Sequence, residues 1–115
     1  MLRLLRRKIK DVRVLEAISQ VPRDLFVPRS HRHLAYEDMA LPIEAEQTIS
    51  QPLIVAMMIS AMEIKPTDKV LEVGTGSGYQ AAVLSLLAQE VVTVERLQPL
   101  AELAKERLAN MGYHN

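Results

Sequence analysis

Apolar positions along this chain follow two rhythms: helical spacing near both ends, and short unbroken runs bounded by turn residues in between. Val12, Leu15 and Ile18 fall on a spacing of three, flanked by Val14 and Arg13, and predict an amphipathic helix over 11–19. Val21-Pro22 ends it, because proline disfavours the helical region for the residue before it. Asp24-Leu-Phe-Val-Pro28 predicts a turn closing on apolar contacts, 30–36 a brief helix, and 37–47 a loop. The run from Leu53 to Met62 is apolar nearly all round, which predicts a buried helix, with Ser50 as its N-cap and Pro52 in its first turn. After the turn 65–68, Lys69-Val-Leu-Glu-Val73 is a strand, Gly74-Thr-Gly-Ser-Gly78 breaks it, and 79–88 is a helix. A second strand over 90–95 and a second helix over 99–111 follow, with Gly112 as the C-cap candidate. Strand, helix, strand, helix implies an α/β architecture in which a parallel pair is joined by a right-handed crossover.

At 115 residues the chain suits one domain. Its 49% hydrophobic and 24% charged content, with a mean hydropathy of +0.04, excludes disordered and collagen-like classes. Zero cysteines exclude a disulfide scaffold, a thiolate zinc site and a thiol nucleophile, and fit a reducing compartment. The overall charge of zero hides an asymmetry: 1–33 carry nine basic residues against Asp11, Glu16 and Asp24, a local charge of +6, and the remainder is −6. Such asymmetry can mark a nucleic-acid or anionic-membrane contact. The aromatic interleaving of a strand-binding groove is missing, with only Phe26 and three Tyr, so the basic segment reads as a solvated helix. No run reaches the roughly 18 apolar residues of a membrane span, and Met1 to Lys10 lacks a signal peptide's apolar region. The expectation is an intracellular, cytoplasmic protein with no nucleic-acid, membrane or metal partner.

The strand, glycine loop and helix over 69–88 form an arrangement whose backbone N–H groups can approach a ligand closely. A Walker-type phosphate loop needs Gly-Lys-Ser/Thr, but Gly78 is followed by Tyr79-Gln80. A dinucleotide loop reads G-x-G-x-x-G, and here Tyr79 stands where the third glycine belongs. Glu72, two residues before Gly74, would repel a pyrophosphate and attract a cation, which suits the sulfonium and ammonium of S-adenosylmethionine. Glu95 ends the next strand, close to the offset from the glycines at which an acid takes both ribose hydroxyls. Together Glu72, the three glycines and Glu95 specify an adenosine-type ligand with a cationic tail. A purely structural turn with solvated glutamates, and a dinucleotide site, are the alternatives.

The run Val70-Leu-Glu-Val-Gly-Thr-Gly-Ser-Gly-Tyr-Gln-Ala-Ala-Val83 resembles motif I of class I S-adenosylmethionine-dependent methyltransferases, in the version found in protein-L-isoaspartate O-methyltransferases. Val21-Pro-Arg-Asp-Leu-Phe-Val-Pro28, Ala35-Tyr-Glu-Asp38, Leu41-Pro-Ile43 and Gln47-Thr-Ile-Ser-Gln-Pro52 resemble that family's own signatures, the last highly specific and motif I weakly so. The resemblance covers 11–115, about the first half of a family member. It implies a Rossmann-like methyltransferase fold with an incomplete parallel sheet, behind a helical N-terminal cap. It divides the single domain into a cap and substrate loop at 1–52 and the first half of the S-adenosyl-L-methionine-binding part at 53–115.

The implied activity is protein repair: a methyl group passes from S-adenosyl-L-methionine to the carboxylate of L-isoaspartyl residues in damaged proteins. That carboxylate is already ionised at pH 7, so no general base is required and catalysis rests on alignment and exclusion of water. By resemblance Ser50 is the catalytic residue orienting the carboxylate, and Gln47, Thr48 and Ile49 bind substrate. Glu72, Gly74, Gly76, Ser77 and Gly78 hold the cofactor, with Glu95 and Arg96 at its ribose. His31, His33 and His114 read as surface residues.

Two departures qualify the resemblance. The family commonly has glycine where this chain has Glu46, which brings strain if φ is positive there. Family members also continue beyond Asn115 with further strands and an acid near the adenine. The complete form is expected to be a monomer. The 115-residue chain is expected to bind S-adenosyl-L-methionine poorly and to expose one edge of the strand at 70–73 to self-association. The rival readings are a methyltransferase for another substrate, and a non-enzymatic binding or assembly module.

Overall fold

A computed structural model of the chain describes residues 1–113, so His114 and Asn115 lie outside the described residues. Helix α1 (Leu2–Lys8) is the basic segment, and its cations Arg6, Arg7 and Lys8 fall in the last turn, where they complement the helix dipole. It is anchored rather than freely solvated, since Leu5 and Ile9 enter the core. Helix α2 (Val12–Gln20) is capped by Asp11, whose carboxylate accepts from Arg13 N at 3.0 Å and Val14 N at 3.4 Å. Its inward face is Val14, Ala17 and Ile18, while Val12 is 71% exposed. A spacing of three drifts about 60° per step on a helix of about 3.6 residues per turn, so Val12 and Ile18 cannot share a face. The Arg13 side chain donates to Ile64 O at 2.7 Å and Leu87 O at 3.1 Å, fastening α2 to the chain just past two other helices.

Short 3-10 turns follow at Arg23–Phe26 and Arg29–Leu34, the first burying Phe26 and Val27 completely. His31 is half-buried beside Ser30, and His33 is exposed. The segment expected to be plain loop contains strand β1 (Leu41–Pro42) and a 3-10 turn at Glu44–Glu46. Strand β1 pairs antiparallel with β2 (Thr48–Ile49), in register Leu41↔Ile49 and Pro42↔Thr48. Ala45 and Glu46 both have φ of 58°, so the position where the resemblance expects glycine does carry backbone strain.

Helix α3 (Pro52–Ala61) corrects two expectations. Gln51, not Ser50, is its N-cap, and capping falls to Asp38, whose Oδ1 accepts from Leu53 N at 2.8 Å. The helix is also only half buried: Val55, Ala56 and Ile59 face α1 and α2, while Ile54, Met57, Met58 and Met62 are exposed. An all-apolar helix is fully buried only when packed on every side, and here its packing partners lie on one.

Strands β3 (Lys69–Val73) and β4 (Glu90–Val94) pair in parallel, from Lys69↔Glu90 to Val73↔Val94, with α4 (Tyr79–Ser85) between them and α5 (Gln98–Asn110) after. This is the expected α/β order, with α4 ending three residues early. Gly112, at φ 84°, closes α5, its N–H bonding Ala109 O at 3.1 Å. Val70 and Glu72 point inward, whereas Leu71 at 63% and Val73 at 80% are exposed. Among the described residues β3 pairs on one side only.

Candidate functional site

Strand β3 ends where Gly74 turns back over β4, with Gly74 N and Thr75 N both bonding Val94 O, at 2.8 and 3.2 Å. The three glycines are left-handed at φ 92°, 56° and 92°, a conformation side chains resist, yet they play different parts. A Cβ at Gly74 would meet nothing within 4 Å, which leaves open space for a ligand against the backbone. At Gly76 it would lie 3.8 Å from Ile43 Cδ1. At Gly78 it would sit 3.3 Å from Ala104 Cβ, so this glycine serves the approach of α5 rather than a ligand.

Most loop amides are already engaged. Besides the two on Val94 O, Gly76 N donates to Glu95 Oε1 at 2.9 Å and Gly78 N to Thr75 O at 3.0 Å. Tyr79 N donates to the Oγ of buried Ser77 at 3.2 Å, a local bond across Gly78, which is the N-cap of α4.

The two acids differ in setting. Glu72 is buried at 6% exposure and accepts one bond, 2.7 Å from the Thr93 hydroxyl, which in turn contacts the Thr75 hydroxyl. Burial pushes its pKa up to about 7 against the Thr93 bond, and the charge of Glu95 adds to the rise. Such a carboxyl gains charge most readily when a cation sits beside it. Glu95 is held the opposite way: bonds from Gly76 N and from Leu97 N at 3.1 Å pull its pKa below the ordinary value.

Thr48, Ile49 and Ser50 meet Glu72, Gly74, Gly76 and Ser77 in one cleft of about 240 Å³. Val55, Met58, Val73, Thr75, Tyr79 and Gln80 complete its walls. The Ser50 side chain is exposed, and its carbonyl accepts from Arg23 Nη2 at 3.1 Å. Four of the residues singled out above lie outside the cleft. Gln47 is exposed and bonds Ala45 O at 3.2 Å, Gly78 packs on α5, and Arg96 is exposed. Glu95 borders a separate groove of about 400 Å³ with Thr75, Thr93 and α5.

A buried, proton-retaining carboxyl beside an open glycine backbone fits a ligand whose end is an ammonium or sulfonium, with the cleft walls supplied by Ser50, Met58 and Tyr79. Among the described residues no group of three His, Cys, Asp or Glu could hold a metal ion, and no helix is long and apolar enough to cross a membrane. Three residues that hold this cleft were not predicted from the sequence: Asp38, Arg23 and Arg107. Arg107 reaches from α5 to Glu44 at 3.1 Å and to Ser77 O at 3.2 Å. For Asp38 a signal existed, a carboxylate within the Ala35-Tyr-Glu-Asp38 stretch ahead of a helix whose own N-cap side chain makes no cap bond. Arg23 stood beside Asp24 between the apolar pairs Val21-Pro22 and Leu25-Phe26, where the two charges read as an ordinary turn, and Arg107 left no mark in a helix of ordinary charged residues.

The sequence model of the family described as Protein-L-isoaspartate(D-aspartate) O-methyltransferase (PCMT) matches residues 1–115. The protein-L-isoaspartate O-methyltransferase of Dictyoglomus turgidum is 57% identical over 107 residues, 93% of this chain and 49% of its own length. That of Protochlamydia amoebophila is 58% identical over 109 residues, 95% of this chain and 52% of its own. The chain thus spans about half the length of the curated relatives it matches. A solved protein-L-isoaspartate O-methyltransferase superposes with a TM-score of 0.90 at 30% identity, over 99% of this chain and 38% of that one. A second structure, from Plasmodium falciparum, is described as a beta-aspartate methyltransferase (PCMT) in complex with S-adenosyl-L-homocysteine. It gives 0.83 at 25% identity, over 95% of this chain and 53% of that one.

Proposed function

This chain belongs to the protein-L-isoaspartate(D-aspartate) O-methyltransferase family, and from that premise we propose that its cleft serves methyl transfer from S-adenosyl-L-methionine to the free carboxylate of L-isoaspartyl residues in damaged proteins. The observation that carries the reading is the meeting of Thr48, Ile49 and Ser50 with Glu72 and Gly74 around one cleft. The cofactor supplies an electrophilic methyl on a positive sulfur. Glu72 takes the cationic end and is held ionised by it, Gly74 and Gly76 admit it to the backbone, and Glu95 with Arg96 serves the ribose end. Ser50 orients the attacking carboxylate, with Gln47, Thr48 and Ile49 carrying the substrate chain. A carboxylate whose ordinary pKa is about 3.5 needs no base, so these residues align and desolvate rather than move a proton. In this division 1–52 form the cap and substrate loop and 53–115 the cofactor part. The cysteine-free composition suits a cytoplasmic setting.

In a chain carried to the length of its relatives, Ser50→Ala is expected to cut isoaspartyl-peptide turnover at least about tenfold while S-adenosyl-L-homocysteine affinity stays within about twofold. Unchanged turnover would instead favour a methyltransferase for another substrate. A second reading is favoured by one observation: the half-paired β3 exposes Leu71 and Val73. On it the 115-residue chain self-associates through that edge, and light scattering should show mass rising with concentration; a clean monomer at all concentrations removes it.

A further inference from the structure

We propose that Arg23 is a positioning residue, which with Asp38 fixes the Ser50–Leu53 backbone against the glycine loop. The proposal rests on the reading of Ser50 as the residue that orients the substrate. Arg23 follows Pro22 into the first 3-10 turn and is wholly buried at 0% exposure. Its Nη2 donates to both Met39 O at 3.3 Å and Ser50 O at 3.1 Å, tying the chain before β1 to the chain after β2. Its guanidinium carbon lies 5.1 Å from the centroid of the Tyr79 ring, which Phe26 braces edge-on at 5.7 Å, a cation held over an aromatic face. Tyr79 opens α4 directly after the glycine loop, and Ser50 and Tyr79 both line the cleft. One side chain therefore spans from the substrate segment to the cofactor loop.

Asp38 holds the other flank. Its Oδ2 accepts from Gln51 Nε2 at 2.8 Å while Oδ1 caps Leu53. Stability alone does not account for the arrangement. Arg23 Nε and Nη1 and the Tyr79 hydroxyl are buried and have no well-formed hydrogen bond among the described residues, facing only each other, and buried polar groups so poorly satisfied cost more than apolar packing of the same volume. One nitrogen donating to two carbonyls while the guanidinium carbon lies over a ring fixes direction, since the planar group turns as a unit in a way that neither a lysine ammonium nor a methionine reproduces.

The test uses the 115-residue chain, with hydrogen exchange by mass spectrometry and titration with millimolar S-adenosyl-L-homocysteine and with an isoaspartyl peptide. Arg23→Lys should speed exchange over 48–53 at least about tenfold, leave α5 unchanged, keep S-adenosyl-L-homocysteine affinity within about twofold and weaken the peptide at least about tenfold. Asp38→Asn should show the same selectivity to a smaller degree. A merely structural Arg23 would speed exchange in α5 as much and weaken both ligands in parallel. That outcome, or unchanged exchange over 48–53, overturns the proposal. If the wild-type chain takes up neither ligand, which is the expectation for a chain half the length of its relatives, the cleft reading rests on the Ser50→Ala test and the exchange ratio decides for Arg23. Should Arg23→Lys not fold, the wild-type side-chain ¹⁵N signals decide: a clamped guanidinium gives separate, rotation-hindered Nη lines, and averaging to one line overturns the proposal.

Discussion

Glu72 makes the stability of this chain depend on pH in a direction opposite to that of most carboxylates, and Glu72→Gln should abolish that dependence. Its pKa is raised from 4.5 to about 7, chiefly by burial. The unfolded chain sheds this proton near pH 4.5 and the folded chain keeps it to about 7, so between those values the native state binds more protons and stability falls as pH rises. Two and a half units correspond to about 3 kcal/mol in full, all of it present below pH 4.5 and gone above about 7. Most of it, on the order of 2–3 kcal/mol, is lost between pH 5 and pH 8. With a urea slope of roughly 1.5 kcal/mol/M, the midpoint should be roughly 1–2 M lower at pH 8 than at pH 5. Glutamine keeps an oxygen for the Thr93 hydroxyl and carries no charge, so urea melts of Glu72→Gln at the two pH values should lose this difference. Glu95, which is coupled to Glu72, is held below its ordinary value and stays ionised across this range, and the remaining titrating groups are common to both chains. Equal pH dependence in wild type and variant would refute the argument that desolvation governs Glu72.

Glu46→Gly should stabilise the chain by about 0.5–1 kcal/mol, which is the left-handed penalty less glycine's own entropy. The backbone there has φ of 58°, and the melting temperature should rise by a few degrees. No gain would mean that the loop relaxes around Glu46 without cost. Gly78→Ala should cost about 2–3 kcal/mol in urea melts and Gly74→Ala only about 1–2 kcal/mol. Both share φ of 92°, and only the first drives a Cβ to 3.3 Å from that of Ala104. Adding Ala104→Gly should recover the excess at Gly78, and equal costs at the two glycines would contradict the packing role.

What could be read from the sequence, and what could not, divides by distance along the chain. The β3–α4–β4–α5 series was legible because its signals are local: a five-residue strand with Val70, Leu71 and Val73 apolar, glycines at alternate positions, and helical spacing over thirteen residues. Strands β1 and β2 were not, since two residues carry no period, and their pairing depends on a turn with two non-glycine residues in the left-handed region. Ser50 was a sound cap by residue type, but Asp38, fifteen positions before Leu53, took that place through the chain's return past β1. The exposed side of α3 was equally hidden, because apolar content reports what a helix tolerates and not what covers it.

The glycine loop shows the same division at the level of chemistry. Read from the sequence, Glu72 rejects a pyrophosphate by fixed negative charge, yet a carboxyl with a pKa of about 7 can take up a proton at modest cost and cease to repel. What rejects polyphosphate more firmly is the state of the backbone. A phosphate-binding loop offers its N–H groups to the ligand. Here Gly74, Thr75, Gly76, Gly78 and Tyr79 give theirs to Val94 O, Glu95, Thr75 O and Ser77 Oγ. Glu95 closes the argument, because its carboxylate occupies the Gly76 amide from outside the strand and would itself have to be displaced before an anion could settle there. The loop is therefore poor in free donors and edged by acceptors, and the ligand it suits brings donors and positive charge of its own.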